Sequence, residues 1–479
     1  FGSSFFVASD AVVAHPAAMS SPSKVAAEQP CGSAEIVRRL WRLLVYMALA
    51  VIEFAAIGPS SQFIILTFFA AAHGGGDCEL TPSSAPCRAA SSDAALYVGV
   101  SSGICSSVGA VTALWLGSIS DRSGRRPVIG IRAWLSFVPI VALTLHVFFG
   151  TTLWVFLVAS PAFKAFDVSG VLLAIIADTI TEPSARAAAV GIFSTWCITV
   201  VVLTLPLAGV LPMWALVVVS LAATLLKLVF FHSAFQETRS PVLGNSAAMP
   251  RTLAPGAAMS LLVRDGVILR VALVLVLSSL SFAGLNTVLS PYLTGYLGLT
   301  RGAGVVLLLA SLGSGALGLA AGVGPLVRGV GEVGALQVCL SASIAFPLLL
   351  AGCSCPEQVG IVATLLGAPL WMFLPIVSGI KSNLVREAEQ GLVQGALACI
   401  SNFSTAASDV IFGVLYRHVT VNGTDPDRTS VFPLFFVCSV LAAASWLLAC
   451  SLPRKLPRPS GCLTSVGADI LQPLIHAGA

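Results

Sequence analysis

Four ionisable side chains stand inside long apolar stretches of the chain: Glu53, Lys164, Asp167 and Asp409. At mid-depth in a bilayer each costs at least about 2.5–3.5 kcal/mol to insert, so groups of this kind are kept for what they do. Lys164 and Asp167 are three apart, which on a continuous helix places them on one face where they neutralise each other. Glu53 and Asp409 have no evident partner in the sequence. A lone carboxyl in a low-dielectric cavity can load and release a proton. Glu53, near the middle of its stretch, is the favoured proton carrier. Lys164 is the base at comparable depth expected to approach it. Asn286, with Ser290 nearby, offers hydrogen bonds to a small solute. Lys227 lies near a stretch end, where its ammonium can snorkel to the interface, and it is given no role.

The elements that must hold these groups follow from composition. Of 479 residues, 57% are hydrophobic and only 10% are charged, against roughly 25% charged in an ordinary soluble domain. A water-soluble globule is excluded. A bilayer core about 30 Å thick needs about 20 apolar residues per helix. Stretches of that kind fall at about 43–68, 95–119, 128–149, 152–177, 187–210, 213–232, 267–293, 303–322, 334–352, 358–380, 391–416 and 431–452. The expected fold is an all-α polytopic membrane protein with twelve transmembrane helices. Its expected divisions are a disordered cytosolic tail (1–39), a six-helix bundle (40–232), a cytosolic linker (233–265), a second six-helix bundle (266–452) and a cytosolic tail (453–479). Residues 1–35 are rich in Ala, Ser and Pro with no basic region ahead of an apolar run, so no signal peptide is expected. The first residue is Phe1, and the natural N-terminus is not taken to be present.

Basic residues orient the chain. With both termini cytosolic, 19 of the 25 Lys and Arg fall on the cytosolic side. Arg88, Arg301, Arg417 and Arg428 fall opposite, and Lys164 and Lys227 lie within spans. The net charge of +4 gives no reason to expect a nucleic-acid partner. The 12 Cys show no metal-ligand spacing, so no metal and no cofactor are expected. Cys78 and Cys87 share the first non-cytosolic loop and are a disulfide candidate; Asn422, in an Asn-Gly-Thr sequon, is a glycosylation candidate.

The two halves echo each other at an offset of about 204 residues, in the loop Glu182–Arg186 entering at Gly191 and the loop Arg386–Gln390 entering at Gly395. Repeated halves are a common construction for alternating access. Gly99/Gly103 and Gly318/Gly322 form small-xxx-small steps that permit close helix approach. Between the second and third spans the chain reads Gly117-Ser-Ile-Ser-Asp121-Arg122-Ser-Gly124-Arg125-Arg126-Pro127. This resembles the loop signature of the major facilitator superfamily. Three further segments, around Glu53–Gly58, Asp178–Arg186 and Glu389–Gly395, look like the hippocampus-abundant-transcript-type facilitators and the tetracycline antiporters. The stretch Leu384–Gly391 is also similar to the proton-coupled folate transporter group.

The resemblance implies the major facilitator fold and a secondary transporter that rocks between inward-open and outward-open states. With the intramembrane carboxylates, the expected function is transport of a small organic solute coupled to protons, by a monomer. The resemblance places Gly117, Asp121, Arg122, Gly124, Arg125, Arg126, Asp178 and Arg186 in a cytosolic gate. The antiporters carry a Gly-Pro pair in the fifth span, whereas here Leu205 precedes Pro206, which weakens the drug/proton antiporter alternative. A facilitator-like receptor or scaffold without transport is the other alternative. No HExxH and no paired catalytic Asp motif support an enzyme.

Overall fold

The computed structural model describes residues 33–82, 84–180, 183–238, 262–263, 265–384, 387–421 and 428–453. Within these ranges the side chains of Gly117, Asp121, Arg122, Lys164 and Arg186 lie outside the described part, as do Asn422 and most of both tails and the linker. Every long element is a helix: α1 Ser33–Ala72, α2 Ala85–Ser123, α3 Arg125–Phe149, α4 Trp154–Ala165, α5 Ser169–Thr179, α6 Pro183–Val210 and α7 Met213–Ala234. After the 236–262 connection come α8 Gly266–Gly295, α9 Arg301–Leu317, a π-helical turn Gly318–Gly322, α10 Val323–Gly352, α11 Pro356–Leu384, α12 Glu387–Val421 and α13 Phe432–Cys450. Among the described residues ten helices are long and apolar enough to cross a membrane. The chain is an integral, multi-pass membrane protein.

Local chemistry sets the ends. Asp265 accepts a hydrogen bond from the Val267 backbone N–H at 2.8 Å and caps α8, and Thr300 does the same for α9 through Ala303 at 3.4 Å. Gly150 closes α3 in the left-handed conformation (φ +64°), its N–H returning to the His146 carbonyl. At Gly331 φ is +77°, which interrupts α10. The first helix begins at Ser33, about ten residues before the apolar stretch that marked it in sequence, because Glu35, Arg38 and Arg39 form solvent-facing i,i+3 and i,i+4 pairs on an added turn.

The stretch at 152–177 is not one helix. It breaks between Ala165 and Ser169, and Asp167 sits in the break, accepting from the Ser169 N–H (3.0 Å) and hydroxyl (2.9 Å). Carbonyls freed at the end of α4 are met from outside: Thr112 of α2 donates to the Ala165 oxygen at 2.8 Å, and Arg132 of α3 donates to the Phe163 oxygen. Broken backbone at this depth survives where neighbouring helices satisfy it in this way. Lys164 and Asp167 therefore do not share a continuous helical face, which corrects the expectation from their spacing.

Two glycine steps let helices meet backbone to backbone. A methyl group at Gly99 would strike the Asp409 carbonyl and lie 3.1 Å from the Gly413 Cα; Gly103 faces Ala406 and Val410 of the same helix. This contact joins α2 to α12. Gly318 and Gly322 face Ala368 and Met372 of α11, joining the π turn to that helix.

Candidate functional site

A cavity of about 250 Å³ is walled by α1, α2, α8, α11 and α12, with Ser343 of α10. Asp409 of α12 is buried at 5% exposure in its wall, its carboxylate accepting from the Ser102 hydroxyl of α2 at 2.6 Å and the Thr287 hydroxyl of α8 at 2.8 Å. Three helices, one before the central connection and two after it, thus meet at one carboxylate. Asn286 and Ser290 also line the space. The Asn286 amide donates to the Phe282 carbonyl on its own helix at 3.0 Å, and the Ser290 hydroxyl donates to Gln62 of α1. Phe282, Leu370, Phe373 and Leu374 give the wall its apolar part, beside the hydroxyls of Ser278, Ser279 and Ser401.

Lys381, in the last turn of α11, also lines this cavity at 7% exposure and has no hydrogen-bond or ion-pair partner among the described residues. Sequence reasoning placed it in the loop beyond its span. The signal that could have found it is that its helix continues four residues past the apolar window.

Glu53 is elsewhere. It is buried at 5% on α1 and paired with Lys227 of α7, whose ammonium also donates to the Ser136 hydroxyl of α3 at 2.6 Å. The Ser220 hydroxyl of α7 donates to the Glu53 carbonyl at 2.8 Å. Lys227, itself 3% exposed, does not snorkel, and Glu53 does have a partner; both are corrections. The physical reason is that α1 and α7 pack face to face, so a base at the far end of one span reaches mid-depth of another. Asp167, held by Ser169, caps the second half of the broken span, and Arg132, unmarked in sequence, stacks 3.5 Å over the Phe163 ring beside it.

The signature loop forms a compact charged knot. Arg125 donates to Asp178 at 3.0 Å and to the Ser120 hydroxyl at 2.9 Å. Glu237, just beyond α7, accepts from the Arg125 and Arg126 backbone N–H groups at 2.9 and 3.0 Å. It occupies the N-terminus of α3, where unsatisfied amides and the helix dipole favour a carboxylate. Gly124 is required twice over, by its φ of +95° and because a side chain there would overlap the Glu237 carboxylate. Arg126 donates to the His232 carbonyl at 3.3 Å. Glu237 carried no spacing signal, since it lies more than a hundred residues from its partners.

At the opposite end of the helices Cys78 and Cys87 form a disulfide, both fully buried. Around it, ion pairs cross between segments before and after the central connection. Arg301 meets Glu79 at 3.0 Å, and Arg417 meets Asp93 at 3.4 Å, with His73 on the same Asp93 at 3.0 Å.

No family model matches the sequence, and no curated protein matches it. Solved structures do match its fold. The human organic anion transporter MFSD10 (TETRAN) is 19% identical, with a TM-score of 0.58 over 86% of this chain and 99% of that one. A variant of the nucleoside transporter NupG is 17% identical, with a TM-score of 0.61 over 85% and 99%. A D-xylose–proton symporter is 14% identical, with a TM-score of 0.58 over 90% and 100%. This chain shares its fold with these solved structures.

Proposed function

We propose that the protein is a proton-coupled secondary transporter that binds a small organic solute in the cavity between α1, α2, α8, α11 and α12 and exposes it alternately to the two sides of the membrane. One observation carries the reading. A buried carboxylate on the cavity wall, Asp409, ties a helix of the first half of the chain to two of the second through hydroxyl donors. Hydrogen bonds to an ionised acceptor are worth roughly twice those between neutral groups. Protonating Asp409 weakens the tie between halves, so proton loading and helix separation are one event. Asp409 replaces Glu53 as the coupling group, because Glu53 already has Lys227.

The architecture behind this is twelve passes in two six-helix bundles, split at 233–265. It is reached by reading α4 with α5 as one broken pass and α9 with the π turn and the start of α10 as another. Both termini and the Gly124 end face the cytosol, and the protein works as a monomer in the bilayer. Gly117, Asp121, Arg122 and Arg186 join Arg125, Arg126, Asp178 and Glu237 in the cytosolic gate. Among its relatives, the reading favours the hippocampus-abundant-transcript-type group.

The test is uptake of a panel of small solutes into proteoliposomes with and without an imposed pH gradient. Asp409→Asn, a mimic of the protonated form, is expected to abolish acceleration by the gradient while solute exchange remains measurable. Full gradient-driven accumulation by that variant sinks the coupling role, and absence of flux for every solute sinks the transport reading.

A further inference from the structure

We propose that the solute is a compact organic monoanion with an apolar body, held through its anionic group by the Lys381 ammonium. The proposal deepens the transport reading by naming its substrate class.

A lysine at a helix end ordinarily snorkels its charge into water. Its attraction to the C-terminal helix dipole, about 0.3–1 kcal/mol, is available to an exposed lysine as much as to a buried one. Lys381 is nevertheless buried against the cavity, at 7% exposure. An ammonium that lines a cavity with no counter-charge among the described residues is a ready partner for an anionic group. Two other cations within spans have their answers: Lys227 has Glu53 and Ser136, and Arg132 has the Phe163 carbonyl and ring. Lys381 has none among the described residues. The remaining charge on the cavity wall, Asp409, has its two oxygens on Ser102 and Thr287 rather than on Lys381. An anionic group that enters the cavity would supply that counter-charge.

The rest of the wall selects further. Phe282, Leu370 and Phe373 suit an apolar body. A cationic solute meets Lys381 with like charge, and a second anionic group faces Asp409. The cavity, at about 250 Å³, is smaller than the roughly 300–1,000 Å³ of drug-sized sites, so the solute is small.

Three probes of one shape separate the charge classes: phenylbutanoate, phenylbutanamide and phenylbutylamine, titrated against the purified full-length protein in detergent. A ligand that binds only the folded state raises Tm with concentration. Only the acid is expected to do so. Lys381→Met is expected to weaken it at least about tenfold, the loss of one charge-assisted hydrogen bond, while Lys381→Arg keeps the effect. The anion class is overturned if the amide or the amine stabilises as well as the acid, if none of the three does, or if the acid's effect survives in Lys381→Met. Should the Met variant not fold, the three-probe comparison on the unmodified protein decides alone. Acid binding without counterflow in proteoliposomes defeats the transport reading and leaves the anion site standing. Counterflow of the amide that is indifferent to Lys381 does the reverse.

Discussion

At the scale of single residues, some buried charges are paired with one another inside the molecule. Glu53 and Lys227 are such a pair. Removing one partner of a buried pair leaves the other charge uncompensated, at about 3–5 kcal/mol, whereas replacing both by apolar groups is often neutral. Glu53→Gln and Lys227→Met are each expected to lower the thermal midpoint of the purified protein markedly, and the double variant to recover most of it. A loss in the double variant equal to the sum of the two single losses would show that the pair contributes no coupling. Gly124 makes a second case. Gly124→Ala forces a side chain into the Glu237 carboxylate at a positive φ, and is expected to slow transport with the cavity's ligand affinity unchanged. Parental flux would mean that the knot around Arg125 and Glu237 does not participate in the cycle. None of these pairings could be read from spacing, because Glu53 and Lys227 are 174 residues apart and Glu237 joins Arg125 from 112 residues away.

At the scale of elements, close approach of α2 and α12 decides whether Asp409 reaches Ser102. Gly99 and Gly413 bring these helices within van der Waals contact, with 3.3 Å between the site of a Gly413 Cβ and the Gly99 Cα. Gly99→Ala inserts a methyl group against backbone that cannot rotate away, an overpacking that typically costs about 1–3 kcal/mol. It is expected to lower both stability and pH-driven flux. Gly170→Ala is the control, since nothing lies within 4 Å of its Cβ, and a helical Gly→Ala of that kind gains about 0.4–1 kcal/mol. If both variants behave alike in thermal unfolding and uptake, the glycine step is ordinary packing. The small-residue steps themselves were legible in the sequence, and their partners were not. The break at Phe166–Val168 was invisible too, because apolar composition continues through it and two of the groups that satisfy it, Thr112 and Arg132, lie on other helices.

At the scale of the whole molecule, the end bearing the disulfide is bridged by Arg301–Glu79 and Arg417–Asp93. Partly exposed pairs of this sort are worth about 0–1 kcal/mol each, weak enough to break and re-form if the proposed transport reading holds. Glu79→Lys is expected to open this end, seen as faster reaction of a Gln62→Cys reporter in the cavity with an impermeant thiol reagent. Glu79→Arg combined with Arg301→Glu is expected to restore the slow rate. Unchanged labelling in Glu79→Lys would remove the pairs from the gate. Orientation has its own test in intact cells: a cysteine at Thr152, in the short connection before α4, reacts with the reagent, and one at Leu243 does not. The opposite pattern reverses the topology.

What the sequence determined by itself is whatever depends on composition and local order. Apolar length dictates helices that span a bilayer, the basic asymmetry predicts their direction, and the Gly117–Pro127 signature points to a fold that the solved transporters share. These are short-range or summed properties, readable wherever a chain is written down. Only the tertiary structure decided which charges neutralise one another. It gave Glu53 to Lys227, set Asp167 in a break, gathered Asp409 with Ser102 and Thr287, and left Lys381 facing the cavity. The reason is physical: in a low-dielectric interior the energy of a charge depends on what lies within a few ångströms of it, and helix packing, not sequence separation, sets that distance.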